Sequence, residues 1–339
     1  MRKSLAIIAL AGVAALTLSG CNPRGAAVGG GGAESEEAAA QVDDVSIIVP
    51  ADPGGGWDQT GRAVSAVLTD EDLVGTAAVT NIGGAGGTVG LASLANEKDP
   101  YTLMVTGLVM VGAVETNAAE NRIEDTTPIA RLTEEPLVVV VPADSEYQTL
   151  QDLVDAVVAD GQSVTITGGS AGGADHILAG LLLEEAGLDG AGITEKLNYI
   201  PNAGGGEAVS LLLGNNAAAG ISGVGEFAEY VESGDLRALA VSSDEPAQLL
   251  PDTPTMIDEG FDITYTNWRG LLAPGGISDA DAEGLVNLVT EMHESAAWQE
   301  ALETNGWTDA FLTGDEFSTF VDENVTDVTS TLKNIGLVS

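Results

Sequence analysis

The sequence predicts an α/β protein with mainly parallel sheets, and three observations predict it. Short apolar runs alternate with helical patterns along the body of the chain. One unit, a strand followed by a glycine-rich turn and a helix start, recurs at residues 53–58, 83–90, 168–175 and 203–207. The body, from about residue 42 to residue 339, is long enough for two lobes of ordinary size. In sheets of this kind ligands sit at the carboxyl ends of strands, where all four turns fall.

In order, residues 46–50 read as a continuous apolar strand, and 59–68 as a helix with Asp58 as its N-cap. Residues 77–81 are a short strand, followed by IGGAGGTVG and a helix at 91–96. The strand at 101–106 runs into GLVMVGAVETN. LVVVVP, at 137–142, is the next strand, and 150–159 a helix. A strand at 163–167 leads through GGSAGGAD into a helix ending near Ala186. A strand at 197–200 leads through PNAGGGEA into a helix ending at Leu213; 217–221 and 237–241 are further strands.

The four turns share a physical logic. A helix N-terminus presents unpaired N–H groups and about half a positive charge. Glycines remove the Cβ atoms that would keep a ligand away from them. Such a turn offers an anion a bare backbone cradle without lysine or arginine. Tight strand–helix packing is the alternative reading of any single turn.

The N-terminal stretch reads as targeting sequence. Arg2 and Lys3 precede an apolar run at 5–18, too short to span a membrane. It ends in Leu18-Ser19-Gly20-Cys21, which resembles a bacterial lipobox, with Cys21 as the lipidated residue; an ordinary secretory signal with an incidental cysteine is the alternative. Cys21 is the single cysteine, so an intrachain disulfide is excluded. The Gly/Ala/Glu-rich stretch that follows, to about Gln41, reads as a flexible tether.

Charge narrows the partners. The chain has 52 acidic residues against 11 basic ones, a formal net charge of -41. Nucleic acid and phospholipid headgroups are excluded over most of the surface. The excess of acid is that of a salt-adapted extracellular protein, because at 1 M salt the Debye length falls to about 3 Å and self-repulsion is screened.

Two enzyme motifs compete with a binding role. Residues 223–228 satisfy GxGxxG/A, but no matching βαβ unit with a ribose acid accompanies them, and no GxxxxGK[ST] is present. Residues 168–172 fit GxSxG between a strand and a helix, the setting of a hydrolase nucleophile at Ser170. Only His176 and His293 could serve as the base. His176 lies on the helix that starts right after the turn, and His293 sits in EMHESAAW, read as an exposed helix with a solvated histidine.

VPADPGGGWDQTGRA, NIGGAGGTVGLA, GGSAGGADHILAG, YIPNAGGGEAVSLLLG, SGDLRALAVSS, LPDTPTMIDEG and TNWRGLLAPGGIS stand in this order. Together they resemble the substrate-binding proteins of tripartite tricarboxylate transporters, over about residues 45–312. The resemblance implies a two-lobed fold like the type II periplasmic binding proteins, each lobe a mainly parallel sheet flanked by helices, joined by crossing strands. It implies a signal peptide at 1–20, a linker at 21–41, a first lobe at 42–142 and 245–339, and a second lobe at 143–244. GGGWDQ, GGSAGGADHILAG and NWRG look most like the branch associated with tricarboxylates such as citrate.

Carried over residue by residue, the resemblance implies a first carboxylate loop with the amides of Gly55, Gly56 and Trp57, and Asp58 beside them. It implies a second, from Gly169 to Asp175, with Ser170 and the amides of Ala171, Gly172 and Gly173, and a third at residues 204–206, with Gly205 and Gly206. Residues 107–112 occupy the place of another pocket loop, here apolar, with Val109 and Met110. Asn202 stands where a basic or aromatic residue is frequent. Asp58 is expected to cap its helix or accept from a ligand hydroxyl in preference to facing a metal. Arg269 reads either as a bidentate carboxylate clamp or as one half of a salt bridge, and Trp57 and Trp268 as pocket walls or core. The implied protein is a monomeric, lipid-anchored receptor outside the cytoplasmic membrane, without catalysis, metal or cofactor, handing its ligand to permease subunits. Micromolar affinity corresponds to about -8 kcal/mol, association costs on the order of 4–15 kcal/mol, and a charge-assisted hydrogen bond contributes roughly 1.5–3 kcal/mol. About five to ten such contacts are needed, so both lobes must contribute.

Overall fold

The computed structural model describes residues 39–202 and 205–338. The first part of the chain runs β1 (Asp44–Val49), α1 (Gly56–Asp70), β2 (Thr76–Asn81), α2 (Thr88–Leu94), β3 (Thr102–Gly107), α3 (Leu108–Thr116) and β4 (Thr127–Pro142). Next come α4 (Leu150–Asp160), β5 (Thr165–Gly168), α5 (Ala174–Glu185), α6 (Gly190–Lys196), β6 (Asn198–Pro201), α7 (Gly205–Leu213), β7 (Ala219–Gly223), α8 (Val224–Glu232) and β8 (Leu236–Val241). The last part is β9 (Thr266–Ala273), α9 (Asp279–Glu294), α10 (Ala296–Asn305), β10 (Thr308–Thr313) and α11 (Gly314–Asn334).

The strands are ordered β2-β1-β3-β9-β4-β7-β5-β6, with β8 and β10 also on β4. Parallel pairing holds β1 to β2 and β3 in one lobe, and β5 to β6 and β7 in the other. β4 and β9 pair antiparallel with their neighbours and form the middle of the fold. The glycine turns therefore lie at the carboxyl ends of the parallel strands, facing one another across the centre.

β4 ties the lobes together. Its first part, to Pro136, pairs with β9 and β10, and its second part, from Leu137, with β7 and β8. Leu137, Val138, Val139, Val140 and Val141 are all fully buried, as an unbroken apolar run must be when both sheet faces are covered. The crossing is pinned by Ser242. Its Oγ accepts from Leu137 N–H at 2.8 Å and donates to the Tyr265 carbonyl, and its carbonyl accepts from Tyr265 N–H at 2.8 Å.

Three departures from the sequence reading have physical causes. α1 begins at Gly56 with Gly55 as N-cap, so Asp58 lies inside the first turn and is not the cap. Residues 107–112, read as a pocket loop, are the N-cap and first turns of α3, a mainly apolar helix that is covered on both sides, with Met110, Val111, Ala113 and Val114 buried. β4 begins at Thr127, well before the apolar run. Its first half, TPIARLTEEP, carries charges that hide the strand pattern, and pairing with β9 and β10 makes it a strand. Among the described residues no helix is long and apolar enough to cross a membrane; residues 1–38, with the expected signal peptide and Cys21, lie outside the described residues.

Candidate functional site

Between the lobes is a cleft of about 310 Å³, a size suited to a small organic molecule. Gly55, Gly56 and Trp57 line it from the β1–α1 turn, Gly84 to Gly87 from the turn before α2, and Val109 and Asn117 from and just after α3. The other lobe supplies Gly169, Ser170, Ala171 and Asp175, then Asn202, then Ser222, Gly223 and Glu226. Asn267 and Arg269 line it from β9.

Helix capping differs between the cleft and the rest of the molecule. α1, α2, α3, α5 and α8, which all contribute to the cleft, have glycine N-caps with no side-chain cap. Away from it, α4, α6, α9 and α10 are capped by the side chains of Thr149, Asp189, Ser278 and Ser295, and α11, which starts after Thr313, has no side-chain cap. Around the cleft, the first-turn N–H groups that helix geometry leaves over are not taken up by a cap.

The turns are braced from behind by acids. Asp58 Oδ2 accepts from Gly54 N–H at 2.9 Å and from Arg62 Nε at 2.9 Å, and Oδ1 accepts from Asn81 Nδ2 at 2.9 Å. Burial raises its pKa, but the bonds from Arg62, Asn81 and Gly54 outweigh burial and hold it below the ordinary value. Asp175 does the same for the second turn, accepting from Gly169 N–H at 2.6 Å. Here burial wins: with the charges of Glu226 and Glu135 nearby, its pKa is pushed up to about 8. The carboxyl is neutral at pH 7, so one of its oxygens carries a proton.

The second turn spends two of its expected amides internally. Gly172 N–H donates to His176 Nδ1 at 3.1 Å, and Gly173 N–H donates to the Ser170 carbonyl at 2.9 Å. Neither glycine lines the cleft; Gly172, at φ +75°, packs against Thr116 of α3. Asn202 ties the third turn to β5, its Nδ2 donating to Thr167 Oγ1 at 2.7 Å and to the Gly168 carbonyl at 2.8 Å. Gly205 opens α7. Gly206, in the first turn of that helix, is exposed and does not line the cleft; residues 203 and 204 lie outside the described residues.

The floor is built by β4 and β9. Arg269 Nη2 donates to Glu135, and both side chains are only 3% exposed. This is the salt bridge that the sequence allowed, but it occupies one arm only: Arg269 Nε and Nη1 are buried without a hydrogen-bond partner among the described residues. A Cβ on Gly56 would overlap the Arg269 guanidinium, so the first turn sits directly on it. Burial raises the pKa of Glu135, against the pull of Arg269 and with Glu226 adding to the rise.

Of the two tryptophans, Trp57 lines the cleft. Trp268 points the other way, its Nε1 donating to Asn324 at 2.9 Å and its ring meeting Phe317 and Phe320 edge-on. Met110 is fully buried beneath the cleft wall, where Thr106 Oγ1 meets its sulfur at 3.6 Å. Sequence reasoning missed Asn117, Ser222, Glu226 and Asn267; it placed Asp175 at the end of the second loop but not its raised pKa. Glu226 lies inside the GxGxxG/A match and Asn267 inside TNWRG; the first match is a fifth strand-to-helix turn on the cleft.

The geometry gives the hydrolase reading no support. Among the described residues no hydrogen bond joins Ser170 to either histidine. His176 stacks on Tyr199 at 4.1 Å, accepts from Gly172, and is held by burial at a pKa of about 4. His293 is not the solvated histidine expected: it stacks on Phe311 at 3.9 Å, with Nε2 3.0 Å from Asp309.

Two lobes, crossing strands and a cleft ringed by uncapped helix N-termini define the class of the extracytoplasmic solute-binding proteins. The model of the tripartite tricarboxylate transporter family receptor matches residues 62–337, and the chain belongs to that family. It is 28% identical to Protein BugT of Bordetella pertussis over 291 residues, 83% of this chain and 86% of BugT. The fold is shared with periplasmic binding protein BugD at TM-score 0.76 and 23% identity, covering 87% of this chain and 98% of BugD. It is shared with MatC from Rhodopseudomonas palustris with bound malate at TM-score 0.74 and 20% identity, covering 86% and 99%. It is also shared with R. palustris Rpa4515 with adipate at TM-score 0.77 and 18% identity, covering 87% and 97%. The family is one of substrate receptors, not of enzymes.

Proposed function

We propose that this receptor captures a small organic carboxylate in the cleft, unchanged, and delivers it to the membrane subunits of its transporter. The observation that carries the reading is Arg269: its guanidinium lines the cleft and packs against the uncapped start of α1, and only one of its arms is taken by Glu135. The Arg269 guanidinium and the start of α1 with Gly55, Gly56 and Trp57 line the same part of the cleft, and a cation beside uncapped helix amides favours a carboxylate there. Ser170 and the protonated Asp175 supply further donors from the second lobe. The malate and adipate held by MatC and Rpa4515 are acids of this kind.

The finer reading adds a tricarboxylate such as citrate as the ligand, closure of the lobes on binding, and a lipid on Cys21 that tethers the body outside the membrane through residues 21–41. In it the lobes run 42–142 with 245–339, and 143–244. A thermal-shift screen of organic acids at high salt tests the ligand class, because a ligand specific to the folded state raises Tm. The reading expects carboxylates alone to do so; a screen in which none does would refute it. Cys21→Ser, expressed in cells, is expected to leave the membrane fraction; retention there would refute the lipid anchor.

A further inference from the structure

We infer that the cleft selects acids that carry a neutral oxygen, a hydroxyl or a keto group, within a few bonds of the carboxylate, and that Asn267 reads that oxygen by donating its amide N–H to it. The inference rests on the carboxylate reading above. Asn267 and Arg269 are two residues apart on β9, so both side chains project from the same sheet face, about 7 Å apart along the strand. Both line the cleft, and Asn267 is only 6% exposed. Its Oδ1 is buried, which leaves the Nδ2 side of the amide as the part that can face a ligand. Nδ2 has no hydrogen-bond partner among the described residues. Buried polar groups in native proteins are almost always paired, so a donor held this deep in a cleft floor points to an acceptor on the ligand.

The surroundings decide which acceptor. Glu135 stands opposite Asn267 in the β4/β9 register. Its carboxylate packs against the start of α8, where a Cβ on Gly223 would overlap it. Glu226, in the first turn of α8, lines the cleft and accepts from Ser222 Oγ. The chain thus supplies the start of α8 with acids of its own, and a second ligand carboxylate on this side would meet like charge from Glu135 and Glu226. An ammonium only donates and would leave Nδ2 facing another donor. A methylene would leave Nδ2 unpaired. A hydroxyl or keto oxygen accepts from Nδ2 without adding charge.

The test compares chain-matched acids by calorimetry at neutral pH and high salt: glutarate, 2-oxoglutarate and glutamate; succinate, malate and aspartate; tricarballylate and citrate. In whichever set binds, the oxo or hydroxy acid is expected to bind at least about tenfold more tightly than the plain acid, since a site built to hydrogen-bond a group rejects the analogue without it. It is also expected to bind more tightly than the amino acid of its set. In Asn267→Leu the advantage over the plain acid is expected to fall to about twofold or less, through weaker binding of the oxo or hydroxy acid alone; Asn267→Ala is the second variant should the larger side chain impair folding. Asn267→Asp, which replaces the donor by an acceptor at nearly unchanged size, is expected to reverse the order of amino acid and oxo or hydroxy acid. Equal wild-type affinities for plain and oxygen-bearing acids, a wild-type preference for the amino acid, or equal weakening of all acids in Asn267→Leu would overturn the inference and leave the carboxylate reading standing. If none of these acids bound, both would fall.

Discussion

Gly112 on α3 and Gly172 on the β5–α5 turn meet backbone to backbone, so close that a methyl group on Gly112 would overlap the Gly172 carbonyl oxygen. The contact joins the two lobes at the edge of the cleft. Thr116 sits beside it, its Oγ1 3.4 Å from the Ala171 carbonyl. Here glycine is required by close approach, and for Gly172 also by a left-handed φ of +75°.

Gly112→Ala is therefore expected to hold the lobes apart and weaken ligand binding without touching the ligand. Overpacking of this kind costs ~1–3 kcal/mol, or about five- to 150-fold in Kd. Calorimetry checks the affinity, and small-angle scattering checks for a more open form. Wild-type affinity in a folded variant would mean that this contact plays no part in closure.

Asp175 predicts a pH dependence of definite sign. Its pKa in the fold, about 8, lies above the ordinary 3.8, so between those values the folded protein holds a proton that the unfolded chain has lost. Its contribution to stability is complete below about pH 4 and is lost as pH rises to about 8. Ionisation also places a negative charge in the cleft, among Glu226, Glu135, Tyr199 and Tyr265, with Arg269 as the cation that faces it. Carboxylate affinity is expected to fall above about pH 8 in the wild type and to stay flat in Asp175→Asn. Matching pH profiles would remove Asp175 from the binding site.

The buried ion pair predicts a contrast in stability. Glu135→Gln leaves the Arg269 charge uncompensated, which costs ~3–5 kcal/mol for a fully buried pair. Glu115→Gln, which removes one of the two acids paired with the more exposed Arg122 and leaves Glu124, is expected to cost at most about 1 kcal/mol. Denaturant unfolding measures both. Bound carboxylate should restore more stability to Glu135→Gln than to the wild type, because the ligand replaces the missing anion; an equal gain would argue against the Arg269 clamp.

The backbone of the cleft was legible in the sequence because glycine is itself the signal. The turns around Gly55, Gly86 and Gly169 each stand at the end of a strand and can be found without any contact information. The side chains of the floor cannot. TNWRG names Trp268 and Arg269 equally, and only pairing of β9 with β4 sends Arg269 to the cleft and Trp268 to Phe317 and Phe320. Glu135 lies 134 residues from Arg269 in sequence, beyond any local pattern. The amides of Gly172 and Gly173 looked available because a sequence does not record which N–H groups a turn consumes. His176 does that for Gly172, through a ring position set by stacking on Tyr199.

The central claim is that Arg269 and the start of α1 hold a carboxylate in a non-catalytic cleft. Its most direct test is a calorimetric titration of the wild type and Arg269→Gln with the acid that raises Tm most, followed by chemical recovery of that acid. The account predicts one-to-one binding in the wild type, recovery of the acid unchanged, and at least about a tenfold loss of affinity in a folded Arg269→Gln, the loss of one or more charge-assisted bonds. Wild-type affinity in that variant, or an acid recovered in altered form, would contradict it.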